Sequence, residues 1–294
     1  MSYKNASRIA LLLIVCSSLL AVSASAQHLE QVSGTLSTIS AGRNEVFGVD
    51  SKGDVWRYKP ASQSFGKVAK ASLAQIAVGG GTLSQLDEVW GLNAKSEIYR
   101  FDYSAKKFVQ IAGELSQIAV GPGNLDNCHP YEVWGVNANQ QVFRYNYCTG
   151  QWSQIANILL LQVATGGGDV WGVNVSGQIF HYNIATGQFT QIYGTLLRIS
   201  VGVNDVWGID GTGSAFRFDT GSGQWIWLGT DAGQVAAGGD GVWLVNDADN
   251  VYRFDSSVNT FLNIPGNLSR VAVGSGAGVF GINTLGQVFT FVRP

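Results

Sequence analysis

The sequence predicts an all-β chain, a seven-bladed β-propeller of four-stranded antiparallel blades, closed by an N-terminal strand that completes the last blade. Three observations predict it. A motif of Asp or Glu, Val, Trp or Phe, then Gly recurs, with Gly for the acid in the last two copies and Leu244 for the final Gly in the sixth, its aromatic at Phe47, Trp90, Trp134, Trp171, Trp207, Trp243 and Phe280, at spacings of 43, 44, 37, 36, 36 and 37 residues. Around each copy lie four segments of four to six residues, rich in Val, Ile and aromatics and bounded by Gly, Asn, Asp or Ser. Such segments read as short strands. The last unit stops one strand short, and the segment after residue 26 matches the missing one.

Taken in chain order, residues 1–26 read as an export signal. Lys4 and Arg8 precede an apolar run from Ile9 to Val22, and Ser23-Ala24-Ser25-Ala26 supplies the small residues that a signal peptidase needs. Cleavage near Ala26 leaves residues 27–294 as the propeller and predicts a secreted or periplasmic protein. The run is shorter than the roughly 20 residues that span a bilayer, and no later segment approaches that length. Cys16 follows the bulky Val15, which does not suit a lipidated cysteine.

Within each unit the first strand is an apolar segment ending in Gly, such as Gln75-Ile76-Ala77-Val78-Gly79. The aromatic motif forms the second. Segments such as Ile98-Tyr99-Arg100-Phe101 and Phe108-Val109-Gln110-Ile111 form the third and fourth. The strands are apolar on both faces, as a sheet packed between two neighbours requires. Helical periodicity is absent from the mature chain, which excludes a helical or leucine-rich solenoid. At the end, Phe289-Thr290-Phe291 is a third strand without a fourth, and Leu29-Glu30-Gln31-Val32 corresponds to Trp152-Ser153-Gln154-Ile155 of a complete unit. Pairing these two ends removes the open edges of an unclosed array.

Without the leader, 16 basic residues stand against 20 acidic ones, a net charge of −4. That sign argues against nucleic acid or an anionic membrane as the main partner. Only 13% of residues are charged and 38 are Gly, which describes a compact chain with many tight turns.

The stretch from Leu115 to Tyr145 combines Ile118-Ala119-Val120-Gly121, Val133-Trp134-Gly135-Val136-Asn137 and Val142-Phe143-Arg144-Tyr145. It resembles the tectonin repeat of the tachylectin-1 and fish-egg lectin family, and the resemblance extends over the whole mature chain. It implies a propeller that binds carbohydrate, such as surface polysaccharide, lipopolysaccharide or glycoprotein sugars. Better-known members have six repeats; this chain has seven motif copies.

The motif aromatics are expected in the core, where burying a large ring contributes most. The position two after each motif Gly, or its equivalent, is Asp50, Asn93, Asn137, Asn174, Asp210, Asn246 or Asn283. These open the hairpin between strands two and three, and Gly53, Gly177, Gly213 and Gly286 follow three residues later in four units. Turn chemistry accounts for the pattern. The same ring of side chains also lies at one rim, at blade junctions, where shallow sugar sites are expected. Third strands carry Arg57, Arg100, Arg144, Arg217 and Arg253, with His181 and Thr290 in the other two units. A guanidinium there can brace neighbouring blades or donate to sugar hydroxyls and carboxylates. Both sets are carbohydrate-binding candidates.

Two insertions between strands one and two, Gly80 to Glu88 and Pro122 to Glu132, lie on the side of the three-to-four hairpins. Cys128 and Cys148, the only cysteines of the mature chain, share that side and are expected to form a disulfide. Asp126, His129 and Tyr131, near Asp87 and Glu88, lack metal-ligand spacing, so neither a metal nor a cofactor is expected. With His28, His129 and His181 as the only histidines, no catalytic or phosphate-binding motif is present. The expectation is a secreted, monomeric, non-enzymatic lectin with several shallow repeated sites. The alternatives are a protein-interaction scaffold using the insertion-bearing side and, third, a glycan-active enzyme with carboxylates paired in space.

Overall fold

The computed structural model describes residues 27–292, so the expected signal segment and Cys16 lie outside the described residues. β1 (His28–Thr35) precedes the first repeat, which comprises β2 (Thr38–Ala41), β3 (Val46–Val49), β4 (Asp54–Lys59) and β5 (Ser64–Lys70). The second repeat comprises β6 (Leu73–Gly79), β7 (Glu88–Asn93), β8 (Glu97–Asp102) and β9 (Lys107–Glu114). The third contains β10 (Gln117–Asp126), β11 (His129–Val136), β12 (Gln141–Asn146) and β13 (Gln151–Leu159). Then come β14 (Gln162–Gly166), β15 (Asp169–Val173), β16 (Gln178–Asn183) and β17 (Gln188–Thr195). The fifth repeat is β18 (Arg198–Val201), β19 (Val206–Ile209), β20 (Ala215–Asp219) and β21 (Gln224–Gly229). The sixth is β22 (Ala232–Gly238), β23 (Gly241–Asn246), β24 (Asn250–Asp255) and β25 (Thr260–Asn267). The chain closes with β26 (Arg270–Val273), β27 (Val279–Ile282) and β28 (Gln287–Val292).

The all-β class and the four-stranded antiparallel unit fit the expectation, but the count of seven separate blades is corrected. Five four-stranded sheets stand on their own, from the second repeat to the sixth. The first and last repeats do not form separate sheets. They merge with β1 into one eight-stranded sheet, in the order β2-β3-β4-β5-β1-β28-β27-β26. The reason lies in β1, which pairs antiparallel with β28 from His28 opposite Val292 to Val32 opposite Val288. Past that run its Ser33 pairs in parallel with Ser64 of β5. One strand thereby serves two neighbours.

Packing between repeats follows one scheme. Each motif aromatic is at most 2% exposed. It meets, edge-on, the aromatic of strand three in the next repeat: Phe47 on Phe101, Trp90 on Tyr145, Trp134 on Tyr182, Trp171 on Phe218, Trp207 on Phe254, Trp243 on Phe291 and Phe280 on Tyr58. Ring centroids lie 4.6 to 5.5 Å apart and planes meet at 60 to 70°. This is the geometry that the ring quadrupole favours, adding about 0.5–1.5 kcal/mol per pair beyond burial. The last contact joins the chain's final repeat to its first.

The motif glycine has a separate steric cause. A Cβ on Gly48, Gly91, Gly135, Gly172, Gly208 or Gly281 would lie 2.3 to 2.4 Å from a Leu methyl, on Leu36, Leu73, Leu115, Leu160, Leu196 or Leu268 respectively. Each of these leucines opens its repeat and is at most 4% exposed. The sixth repeat reverses the sizes: Leu244 takes the glycine position and Ala232 the leucine position, and the two share one core cluster. Volume is conserved across the pair.

Inner strands β2, β6, β10, β14, β18, β22 and β26 surround a central channel of about 840 Å³. Their channel-facing edges are partly satisfied by side chains of neighbouring repeats. Gln117 donates to Val163 O and accepts from Val163 N at 2.9 and 3.0 Å. Gln162 does the same with Ile199, and Gln234 with Val271.

Replacing Ala232 by Leu alone overpacks the sixth repeat, which costs about 1–3 kcal/mol. Leu244→Gly alone opens a cavity and costs about 2–5 kcal/mol. The double variant recreates the pairing of the other six repeats and recovers most of both losses in urea unfolding. Simple addition of the two single losses would contradict the size-swap account.

Candidate functional site

The ring of Asp and Asn residues is built into the turns. In all seven repeats the side-chain Oδ1 accepts the backbone N–H groups two and four residues on, at 2.8 to 3.1 Å. The third residue of every turn is left-handed: Gly53, Ser96, Gln140, Gly177, Gly213, Asp249 and Gly286 have φ of 62 to 79°. Its carbonyl accepts the N–H of the residue that opens a neighbouring repeat, as from Leu73 to Gly53 O at 3.0 Å and from Leu36 to Gly286 O at 2.8 Å. The turn thus ties adjacent repeats together. The remaining amide nitrogen is used as well in Asn137, Asn174 and Asn283, which donate to Gln141, Gln178 and Gln287 at 2.7 to 2.8 Å, and in Asn93, which donates to Glu97. Asp50 accepts Trp56 Nε1 at 2.9 Å. Asn246 holds its turn in the same way through Oδ1.

The third-strand arginines lie on the opposite rim, where the acid of the motif meets Arg57, Arg100 and Arg144. Arg57 Nε donates to Glu45 at 2.6 Å, Arg100 Nε to Glu88 at 2.8 Å and Arg144 Nε to Glu132 at 2.9 Å. In each case Nη2 donates to the other carboxylate oxygen, a bidentate geometry. The same carboxylates accept Trp90 Nε1 at 3.0 Å and Trp134 Nε1 at 2.6 Å. His181 and Asp169 repeat the pairing at 2.6 Å, with Trp171 Nε1 donating to Asp169 at 2.7 Å. Guanidinium carbons lie 5.2 to 6.0 Å from aromatic ring centres, including those of neighbouring repeats: Tyr103 for Arg57, Tyr147 for Arg100, Tyr182 for Arg144, Phe254 for Arg217 and Phe291 for Arg253. These are braces across the junctions.

Electrostatics follow from the braces. Hydrogen bonding to Glu88 raises Arg100, and the bond to Glu45 raises Arg57. Burial pushes Asp169 up, but the bonds from His181 and Trp171 outweigh it and leave the carboxyl below its ordinary value. Burial drives the Tyr103 and Tyr147 hydroxyls well above the normal range.

The pairing of motif acid with third-strand arginine was missed in the sequence, although a signal existed. Acid and partner stand 12 residues apart at 45 and 57, 88 and 100, 132 and 144, and 169 and 181.

The insertions do gather on the arginine side. Asp87, 1% exposed, accepts the N–H groups of Arg43, Asn44, Glu45 and Gly81 at 2.7 to 3.0 Å and clamps the corresponding loop of the first repeat. Cys128 and Cys148 form a disulfide with Cα atoms 4.9 Å apart. Among the described residues no group of three or more His, Cys, Asp and Glu could hold a metal ion.

Two grooves lie at junctions and reach the turn rim. One, of about 810 Å³, runs between the second and third repeats and is lined by Glu97, Gln110, Glu114, Asn137, Gln151 and Trp152 among others. The other, of about 410 Å³, contains Asn283, Arg270, Ser37 and Ser51. Asn137 and Asn283 each border one of these grooves.

Fold, repeat and junction grooves define a β-propeller of repeated four-stranded units. The Tectonin domain model matches residues 17–191, 72–224 and 195–293, so the chain belongs to the tectonin family. No curated protein matches the sequence. Among solved structures, the chain is similar to human WBSCR16, with a TM-score of 0.65 and 11% identity over 90% of this chain and 88% of that one. It is similar to YCF48 bound to D1 peptide, at 0.67 and 13% over 91% and 97%. The Cps50 (Swd1) β-propeller domain of Myceliophteria thermophila gives 0.68 and 8% over 90% and 99%. At these identities the likeness shows the fold alone.

Asp210 tests the turn role through pH. Burial raises its carboxyl, but the bonds from Thr212 and Ser214 outweigh this and lower it overall. The stability it contributes is therefore present above the unfolded value near about 3.9 and is lost as pH falls through the lower folded value. Asp210→Asn keeps the Oδ1 acceptor. It should leave stability at pH 7 within about 0.5 kcal/mol and reduce the loss of stability below about pH 4, as measured by urea unfolding across pH. An unchanged acid limb would remove the turn carboxylate from the account.

Proposed function

We propose that this protein is a secreted or periplasmic lectin that works without catalysis, as a monomer, by holding surface glycans in shallow grooves between repeats. The observation that carries the reading is the groove beside Asn137, which amides and carboxylates from two repeats line together with Trp152. Planar polar groups match sugar hydroxyls in both donor and acceptor roles, and an aromatic face suits the C–H side of a sugar ring. Asn137 keeps its turn while bordering the groove, so structure and recognition share one residue. A single contact of this kind binds at about millimolar strength, worth roughly −4 kcal/mol. Repetition on one rigid ring raises the affinity for a glycan-coated surface by about 10² to 10⁴.

Leu83 and Leu86, 90% and 50% exposed on the second repeat's insertion, favour a second reading. An exposed apolar loop beside a disulfide-held hairpin suits a protein partner.

A glycan array separates the two. The wild-type chain should bind a defined glycan class. Gln110→Ala and Gln151→Ala should each weaken that binding by about fivefold, one hydrogen bond's net worth. Asn137→Asp, which retains the turn acceptor, should weaken it as well. Retained binding in all three folded variants would remove this groove from the reading. Binding to no glycan, with a protein partner captured through Leu83 and Leu86, would overturn the lectin.

A further inference from the structure

The acid, indole and guanidinium that converge in the second and third repeats vary in a telling way elsewhere. In the last repeat all three are replaced, by Gly278, Phe280 and Thr290, and no polar side chain there is left wanting: Thr290 Oγ1 donates to Val279 O at 3.2 Å. In the sixth repeat only the acid is gone. Gly241 stands in its place, while Trp243 and Arg253 remain. Trp243 is fully buried, and both its Nε1 and the Nε of Arg253 are buried without a hydrogen-bond partner. Buried donors in this condition normally have a partner, and leaving one unmade costs about 1–3 kcal/mol.

Both donors lie beside Gly241. A Cβ built on Gly241 would stand 3.7 Å from Trp243 Nε1 and 4.0 Å from Arg253 Nε, and apart from adjoining residues no other described residue lies within 4 Å. Gly241 is itself partly open to solvent, while the two donor nitrogens are closed to it. The adjacent Asp240 accepts from neither donor, and its Oδ2 accepts Gly276 N and Gly278 N at 2.8 and 2.9 Å. Phe291, edge-on to Trp243 and beneath the Arg253 guanidinium, forms an apolar wall. The fifth repeat differs: Trp207 Nε1 is also unpartnered, but Asp205 is retained, with its carboxylate against Gly202.

The geometry points to a carboxylate-binding site at Gly241, in which a ligand's carboxylate occupies the position that Glu88 and Glu132 fill in their own repeats. It accepts Trp243 Nε1–H and Arg253 Nε–H on one oxygen, as those glutamates do with Trp90 and Arg100, or Trp134 and Arg144. The ligand is a free small carboxylate or the carboxyl group of an acidic sugar. The site is on the arginine rim, away from the groove beside Asn137, so it stands or falls independently of that groove.

The test is a titration of ¹⁵N-labelled protein with sodium acetate, sodium glucuronate and, at matched ionic strength, sodium chloride, following tryptophan indole N–H resonances. Trp243→Phe, the residue found at 47 and 280, assigns the Trp243 signal by its loss. Acetate and glucuronate should move that signal saturably, chloride should not, and the Trp90 and Trp134 signals should stay still because an internal glutamate holds them. Tighter binding of glucuronate than of acetate identifies a sugar acid; equal binding identifies a small carboxylate. Arg253→Thr, which installs the residue found at Thr290, should weaken either by about tenfold or more, the worth of a charge-assisted bond. It should also abolish the rise in melting temperature that ligand gives the wild type. A Trp243 signal that ignores both carboxylates, follows chloride equally, or titrates unchanged in Arg253→Thr overturns the proposal.

Discussion

The edge-on contact between a motif aromatic and the third-strand aromatic of the next repeat is the constraint from which the rest of this fold follows. It recurs at every junction and includes the one that joins Phe280 to Tyr58. To bring the rings that close, the backbone beside each motif aromatic must approach the leucine that opens the repeat, and only glycine leaves room for its methyl groups. Where leucine stands instead of glycine, at 244, the opposing residue shrinks to Ala232. The aromatic wedge therefore dictates the Gly, the Gly dictates the Leu, and the Leu is delivered by the turn carbonyl of a neighbouring repeat.

Above that apolar layer, most junctions have a polar problem. In the second to sixth repeats an indole N–H meets a guanidinium, or His181 in the fourth, and a buried donor left unpaired is expensive. The second, third and fourth repeats answer it with an internal acid, and the last by losing every polar member. The sixth keeps its donors and lacks the acceptor. A site can thus arise by deletion from a structural unit, with no change in fold. The turn rim follows another logic, since its Asp and Asn side chains hold the backbone and Asn137 borders its groove while doing so.

Much of this was legible in the sequence. The spacing of the aromatics gave the four-stranded unit, Asp50 and its six counterparts gave the turns, and the pair Cys128 and Cys148 gave the disulfide. The number of separate sheets was not legible, because the merging of the first and last repeats depends on a single bridge between Ser33 and Ser64. No hydrophobic pattern encodes a contact of that kind. The acid-arginine brace was present as a spacing of 12 residues, but its two ends sit on different strands and meet only when the hairpin registers Trp90 opposite Arg100. The groove beside Asn137 was invisible for a related reason: Gln110 and Gln151 belong to different repeats and line one groove only where those repeats meet.

The claim at the centre of this account is that structure and recognition are divided by whether a junction supplies its own acceptor. A crystal structure of the protein soaked with a uronic acid tests it most directly. The account predicts a carboxylate bonded to Trp243 Nε1 and Arg253 at Gly241, with the Glu88 and Glu132 braces intact and unliganded. Ligand seated instead at Glu88 or Glu132, with their ion pairs opened, would contradict it.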